Sequence, residues 1–258
     1  MTSPANNNTT YRQIRLARLS RKISQIGNEI YYGGTGPEPF LYCAKQGNTN
    51  EFGGAAFAVE TQEDLEYASQ TLPGATGIYE LDRAPDGGLA VTFRDPVDGF
   101  LLHLVQYQST NWVISGCVTN FAKALGFYTT RFNFKPRDLI HDPAGKDITT
   151  FLHLDRGEEL VDHHSLFFFE GPSSHVYHSS FERHDFDYWL VSSLRCRYGC
   201  CVLESSLIRV CRFDPSGFIV EHYVDSDLVN GDHAMRRSPA SPDNLHAWGP
   251  DLPEGILG

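Results

Sequence analysis

The sequence predicts an α+β protein made of two tandem βαβββ modules. Three observations indicate this class. Short apolar runs of strand length alternate with turn residues, and two stretches with apolar residues at helical spacing follow good helix-capping residues. A weak internal repeat also recurs after about 120 residues. Such a repeat is typical of two similar β-rich modules.

The repeat rests on two pairs of segments. Residues 92–103 resemble residues 212–221, because each segment holds a strand, a tight turn that contains Asp-Pro and Gly, and a second strand. Proline supplies the fixed φ of such a turn, and glycine supplies the positive φ. Residues 54–59 correspond in the same way to residues 178–183. The two halves of the chain are therefore expected to fold alike.

Two helices are expected, one in each half. Thr61 and Asp64 form a capping-box pattern in front of apolar residues at helical spacing, which predicts a helix start at Thr61. Asn120 precedes residues 121–128, whose apolar positions also follow the helical period.

Strands fill most of the remaining chain. Residues 77–105 predict strands joined by turns at Gly87 and at Asp95. We expect a disordered leader, an N-terminal structural module, a C-terminal module that carries the functional site, and a tail rich in Pro, Asp and Asn. Their predicted bounds are residues 1–13, 14–108, 109–235 and 236–258.

Composition excludes several classes of partner. A formal net charge of −11 argues against nucleic acid, because phosphate binding needs a basic face. No apolar run approaches the roughly 18 residues of a membrane span. The polar N-terminus lacks the apolar core of a signal peptide, so we expect a cytoplasmic protein that does not bind membranes. The six cysteines are expected to be free thiols there, and their spacing does not suit zinc.

Residues 162–223 hold the candidate functional groups. His163 and His164 precede an apolar run, His178 lies within a strand-like run, and Glu221 ends another. Two imidazoles and a carboxylate around open coordination positions suit Fe(II) and dioxygen chemistry. The alternative is structural, since a strand histidine is often simply hydrogen-bonded, and a buried Glu221 without metal needs a partner such as His178.

Five segments carry a resemblance to a known family, namely residues 123–128, 151–154, 161–167, 178–182 and 214–223. Together they resemble the vicinal-oxygen-chelate superfamily, and within it the type I extradiol ring-cleavage dioxygenases similar to catechol 2,3-dioxygenase. The resemblance spans most of residues 14–235 and implies paired βαβββ modules, each an incomplete barrel, with the metal in the second. Gly54 and His103 stand at the ligand-equivalent places of the first module, which is expected to be structural.

The same resemblance implies an incomplete Fe(II) site. His178 matches the second metal ligand, Glu221 matches the third, and His164 matches the active-site acid/base. Trp112 stands where the first ligand histidine is expected, and an indole N–H cannot ligate a metal as imidazole does. The active-site tyrosine of the family maps to Cys211.

Further departures from the family pattern accompany these replacements. A histidine that supports the site in the family maps to Val202. The first module is shorter than the family pattern, and so is the segment between residues 187 and 214. Either the chain is a diverged paralogue, or the sequence contains an error in exon assignment.

Three functions follow as hypotheses. The first is an Fe(II) extradiol dioxygenase that cleaves a catechol or polyhydroxylated aromatic with dioxygen, with His178 and Glu221 as ligands and His164 as acid/base. The second is a metal-free isomerase, cyclase or small-aromatic-binding protein on the same scaffold. The third is an inactive relic. Family resemblance also makes a homo-oligomer an expectation.

Overall fold

A computed structural model describes residues 21–34, 38–106, 112–182, 200–203, 208–213, 217–224 and 227–241. These residues fall into two compact units, one with the described residues up to Gln106 together with Gly217, and one with the rest. The predicted module boundary falls within residues 107–111, outside these ranges, and stays a prediction. The expected leader and residues 242–258 of the expected tail also lie outside. No helix in the described ranges is long and apolar enough to cross a membrane.

The first unit contains two sheets. A three-stranded antiparallel sheet, in the order β1-β2-β3, consists of β1 (Arg21–Ile26), β2 (Glu29–Gly33) and β3 (Tyr42–Lys45). A four-stranded sheet follows, in the order β4-β7-β6-β5. Its elements are β4 (Ala55–Ala58), helix α1 (Gln62–Thr71), β5 (Tyr79–Glu80), β6 (Leu89–Arg94) and β7 (Leu101–Gln106).

The second unit is built on a nine-stranded mixed sheet, in the order β14-β15-β16-β13-β8-β12-β10-β9-β18. Strands β11 and β17 pair separately with each other. The elements are β8 (Trp112–Val118), helix α2 (Phe121–Arg131), β9 (Phe134–His141), β10 (Asp147–Leu154), β11 (Val161–Asp162), β12 (Leu166–Glu170), β13 (His175–Glu182), β14 (Cys200–Leu203), β15 (Ile208–Phe213), β16 (Ile219–Val224), β17 (Leu228–Val229) and β18 (Arg236–Pro239).

Both helices begin where the sequence predicts. Thr61 caps α1 with a complete capping box, in which the Asp64 N–H donates to Thr61 Oγ1 and the Thr61 N–H donates to Asp64 Oδ2. Asn120 caps α2 through its side-chain oxygen, which accepts from the Lys123 N–H. Each pairing satisfies backbone donors that the first helical turn leaves without a partner.

One strand order recurs three times among the described residues. In each copy the first strand lies beside the last in parallel, and the other two follow outward: β4-β7-β6-β5, β8-β12-β10-β9 and β13-β16-β15-β14. Helices α1 and α2 follow the first strand of the first two copies. This strand order thus recurs about every 60 residues among the described residues, a finer period than the predicted repeat.

The predicted repeat relates the first of these copies to the third. Residues 95–100 connect β6 to β7, and residues 214–218 connect β15 to β16 at the equivalent place. Gly99 and Gly217 have φ values of 76° and 90°, so the expected positive φ at both turns is confirmed. Asp214, Pro215 and Ser216 lie outside the described residues.

The candidate tail begins as part of the main sheet. Strand β18 runs parallel to β9, with Arg236 opposite Asp138 and Arg237 opposite Leu139. Arg237 Nε also donates to Asp147 Oδ1 at 2.8 Å. The ion pairs Arg236–Asp138 and Arg237–Asp147 hold β18 along the edge of the second unit.

Candidate functional site

Three neighbouring strands of the large sheet carry the candidate metal-binding residues. Strand β13 lies between β8 and β16, and its His178 is opposite Ser115 on one side and Ile219 on the other. Glu221 lies two residues after Ile219 and opposite Ser180. Because residues two apart in a strand share a face, this register places His178, Ser115 and Glu221 on one side of the sheet.

The structure brings the two predicted ligands, His178 and Glu221, together. His178 Nε2 lies 3.0 Å from Glu221 Oε2 and 2.9 Å from Ser115 Oγ. All three residues are buried, with exposed fractions of 5% for His178, 2% for Glu221 and 0% for Ser115. A buried carboxylate is costly unless it is paired, so the contact with His178 accounts for Glu221 at this depth.

These donors fit part of a metal site. Two ligand atoms that each lie about 2.1 Å from one divalent ion, at right angles, are about 3 Å apart, which is the spacing of His178 Nε2 and Glu221 Oε2. Among the described residues, no group of three or more His, Cys, Asp or Glu side chains is placed to hold a metal ion. Ser115 offers a hydroxyl as the third polar group.

The backbone register bears on the missing ligand. Trp112 is opposite Phe181, whereas Val113 is opposite Ser180. Position 113 is two residues before Ser115, so position 113 is in phase with the buried polar cluster and position 112 is not. Val113 is therefore a second candidate for the replaced-ligand position, beside the predicted Trp112. Neither residue type supplies a metal ligand.

His164 lies just before β12, in an aromatic cluster. Its ring is 5.0 Å from the ring of Phe151, which is 4.6 Å from Phe167, and Phe167 stacks 6.5 Å from His178. A chain of ring contacts therefore connects the predicted acid/base with the predicted ligand. Phe151 and Phe167 lie on facing positions of β10 and β12.

His164 also contacts a polar pair that sequence reasoning missed. His163 Nδ1 is 3.2 Å from His164 Nδ1, and His163 Nε2 is 2.9 Å from Asp138 Oδ2. Ser115 was missed as well. The alternation of β8 relative to β13 was the only available signal for Ser115, and Asp138 lies on a strand that the sequence did not resolve.

The structure also places the other residues that the sequence singled out. Cys211 on β15 is directly opposite the predicted ligand Glu221 on the neighbouring strand β16. Val202 lies on β14, opposite Arg209. In the first unit, His103 Nε2 donates to the Gly53 carbonyl oxygen at 2.9 Å, and His103 Nδ1 lies 2.7 Å from Thr92 Oγ1. Both ring nitrogens of His103 are thus engaged, which agrees with a structural role.

Comparisons with known proteins support the fold. No protein-family model and no curated protein matches the chain. Among solved structures, homoprotocatechuate 2,3-dioxygenase from Brevibacterium fuscum, in a substrate complex, superposes with a TM-score of 0.76 and 16% identity, over 98% of this chain and 88% of that one. The Mn(II)-bound glyoxalase from Novosphingobium aromaticivorans gives 0.74 and 16%, over 93% and 86%.

A third solved structure extends the agreement over nearly the full length of both chains. The 2,2',3-trihydroxybiphenyl 1,2-dioxygenase of Sphingomonas wittichii strain RW1 has a TM-score of 0.73 and 16% identity, over 96% of each chain. The chain therefore has the fold shared by glyoxalase and extradiol dioxygenases. The predicted α+β class and the predicted resemblance are confirmed at the level of the fold.

Proposed function

We propose that this protein is an extradiol-type dioxygenase that acts on a catechol or polyhydroxylated aromatic, with His178 and Glu221 as ligands of Fe(II). The observation that carries the proposal is the buried contact between His178 Nε2 and Glu221 Oε2 on neighbouring strands. The likeness of the fold to two dioxygenases that are named for aromatic compounds supports the same proposal. Fold alone does not define activity, so the site residues must be tested directly.

Each residue of the site has a definite task in this proposal. Bound Fe(II) supplies a centre on which the aromatic substrate and dioxygen are brought together. His178 and Glu221 hold it through Nε2 and a carboxylate oxygen. His164 accepts a proton from a substrate hydroxyl and returns it later, a task suited to imidazole near neutral pH. The rings of Phe151 and Phe167 lie in the chain of contacts between His164 and His178 and make this part of the site apolar.

The first prediction concerns metal binding. Fe(II) or Mn(II), added under argon to metal-free protein, should raise the melting temperature, because a ligand that binds only the folded state stabilises it by about 2.7 kcal/mol at a hundred times its Kd. Glu221→Gln and His178→Ala should each abolish the rise. Differential scanning fluorimetry and bound metal per chain measure this without turnover.

A matched control separates site chemistry from a general loss of charge. Glu170→Gln removes a carboxylate that pairs with Lys146 elsewhere in the same unit, and this variant should retain the full metal-induced rise. A wild-type protein that binds no Fe(II) or Mn(II) in excess contradicts the dioxygenase proposal. A rise that survives in Glu221→Gln contradicts the ligand assignment.

One observation favours the metal-free alternative. Ser115 Oγ and Glu221 Oε2 both lie within hydrogen-bond distance of His178 Nε2, so these three buried side chains can form a hydrogen-bonded cluster without metal. In that case the scaffold binds a phenolic ligand through His164 and the His178–Glu221 pair. Melting-temperature shifts with catechols and no metal response would identify this function. No response to either ligand class would identify a relic.

A further inference from the structure

Three side chains form a continuous polar chain that leads to His164. Asp138 on β9 contacts His163 Nε2 through Oδ2 at 2.9 Å, and His163 Nδ1 lies 3.2 Å from His164 Nδ1. Arg236 on β18 holds the other carboxylate oxygen, with its Nε 2.9 Å from Asp138 Oδ1. The carboxylate is therefore engaged from both sides.

The donors and acceptors along this chain restrict which ring nitrogens of His163 and His164 can carry a hydrogen. A carboxylate only accepts, so His163 Nε2 must carry a proton and donate it to Asp138. In neutral His163 the other nitrogen, Nδ1, then has a lone pair and only accepts. A hydrogen bond across the 3.2 Å Nδ1–Nδ1 contact then requires His164 to donate from Nδ1. His164 Nε2 is left as the basic nitrogen.

The backbone explains why Asp138 reaches this place. The β9–β10 pairing shifts between Phe151 and Leu152, where Leu152 faces Pro136 and Phe151 faces Asp138. One residue of β9, Arg137, is left over, as in a β-bulge. The shift sets Asp138 beside Phe151, whose ring meets the edges of both His163 and His164, at 5.9 and 5.0 Å.

We propose that Asp138 and His163 are positioning residues that hold His164 as its Nδ1–H tautomer, in which Nε2 is the nitrogen that can take up a proton. Charge on Asp138 also stabilises the imidazolium that forms when His164 Nε2 takes a proton, because the positive charge is shared along hydrogen bonds that end on a carboxylate. For a neutral His163 the tautomer follows from the hydrogen-bond geometry. Its use in proton transfer rests on the proposed function.

The experiment is nitrogen-15 NMR of the histidine rings in the full chain, labelled at histidine and kept at about pH 8, where ordinary imidazole is neutral. His163→Gln and His164→Gln assign the two rings. In the wild type we expect His164 to be protonated at Nδ1 and His163 at Nε2. In Asp138→Asn the amide can donate to His163 Nε2, so the Nδ1–H fraction of His164 should fall to a minority.

The matched control is Asp147→Asn. It removes a carboxylate that pairs with Arg237 on the same sheet edge and should leave both tautomers as in the wild type. Arg236→Gln leaves the Asp138 carboxylate in place, which still only accepts, so this variant should also keep both tautomers. A wild-type His164 protonated at Nε2, or an unchanged His164 in Asp138→Asn, overturns the proposal.

The NMR result is independent of the dioxygenase proposal, because the measurement needs neither metal nor turnover. If His164 has the expected tautomer but the protein binds no iron, Asp138 and His163 still position His164, and only the proposed proton transfer to substrate is ruled out. A wrong tautomer in an iron-binding protein removes the positioning pair and leaves the metal site.

Discussion

At Gly54 the backbone conformation and a close contact with His103 both exclude a side chain. Its φ is 108°, which L side chains rarely adopt, and a Cβ there would lie 2.5 Å from His103 Nε2. This position corresponds in the repeat to the strand that carries His178 in the second half. The second unit has its buried polar cluster at this place. The first unit has Gly54 and the hydrogen-bonded His103 there instead.

The resulting prediction is a loss of stability in Gly54→Ala. Backbone strain and the clash with His103 should lower the free energy of unfolding by about 1–3 kcal/mol. Gly53→Ala is the control, because a Cβ at Gly53 meets nothing within 4 Å, and its carbonyl still accepts from His103. Urea unfolding followed by circular dichroism measures both. Equal losses in the two variants would contradict the argument.

Sequence reasoning reached some site residues and missed others for a physical reason. His178 and Glu221 were predicted because each is a chemically distinctive side chain on an apolar strand. Ser115 and Asp138 are common residue types, and their roles arise only from strand register. A shift of one position in the β9–β10 pairing would move Asp138 away from His163. Register depends on contacts between distant segments, which a single sequence does not display.

At the scale of elements, the turn between β6 and β7 is held by one buried carboxylate. Asp95 is 3% exposed and accepts three backbone N–H groups, from Val97 and Asp98 at 2.9 Å and from Phe100 at 2.7 Å. A carboxylate supplies acceptors on both oxygens, so it satisfies all three donors at once. The turn therefore fixes how β6 and β7 pair with each other.

Asp95→Asn should weaken this hairpin. The amide NH2 replaces one acceptor with a donor and faces a backbone N–H, which leaves buried donors without partners and costs about 1–3 kcal/mol. Asp82→Asn, at an exposed position of the preceding loop, should change stability little. Hydrogen exchange of the Phe100 amide should speed up in Asp95→Asn and stay slow in Asp82→Asn. An unchanged exchange rate would show that the carboxylate does not hold the turn.

The elements were predictable where their signals are local. Capping residues and helical spacing located α1 and α2, and Asp-Pro and Gly located the turn after β6. The threefold strand order was not predictable, because the copies share geometry while their side chains differ. The place of β18 beside β9 was missed for a related reason. Polar residues such as Arg236 and Arg237 are typical of a tail, and these two join the sheet through ion pairs with Asp138 and Asp147.

For the whole molecule, titratable groups with shifted pKa values make stability depend on pH. At Asp138 burial would raise the pKa, but hydrogen bonds from His163 and Arg236 outweigh it and hold the pKa below the usual range. At Asp155 the hydrogen bond from Lys135 lowers the pKa. Carboxyls with lowered pKa stabilise the fold above their unfolded value, and this contribution is lost as pH falls below about 4.

One histidine, His153, should affect stability at a higher pH than these carboxyls do. His153 is 2% exposed on β10, and neither of its ring nitrogens has a hydrogen-bond partner among the described residues. Burial lowers the pKa of His153 below its ordinary value of 6.5, and the charges of Lys135, His163 and Arg137 lower it further, against an opposing effect of Asp155. The folded state therefore favours the neutral ring.

The sign of the pH effect follows from proton uptake on unfolding. Below about pH 6.5 the unfolded chain binds a proton at His153 that the folded protein resists, so the free energy of unfolding should decrease as the solution is acidified from about pH 7 to pH 5. His153→Leu removes this group, and the decrease in that window should become smaller. His175→Gln, at an exposed histidine, should keep the wild-type slope. Urea unfolding at a series of pH values measures the slopes, and an unaltered slope in His153→Leu would mean that His153 protonates equally in both states.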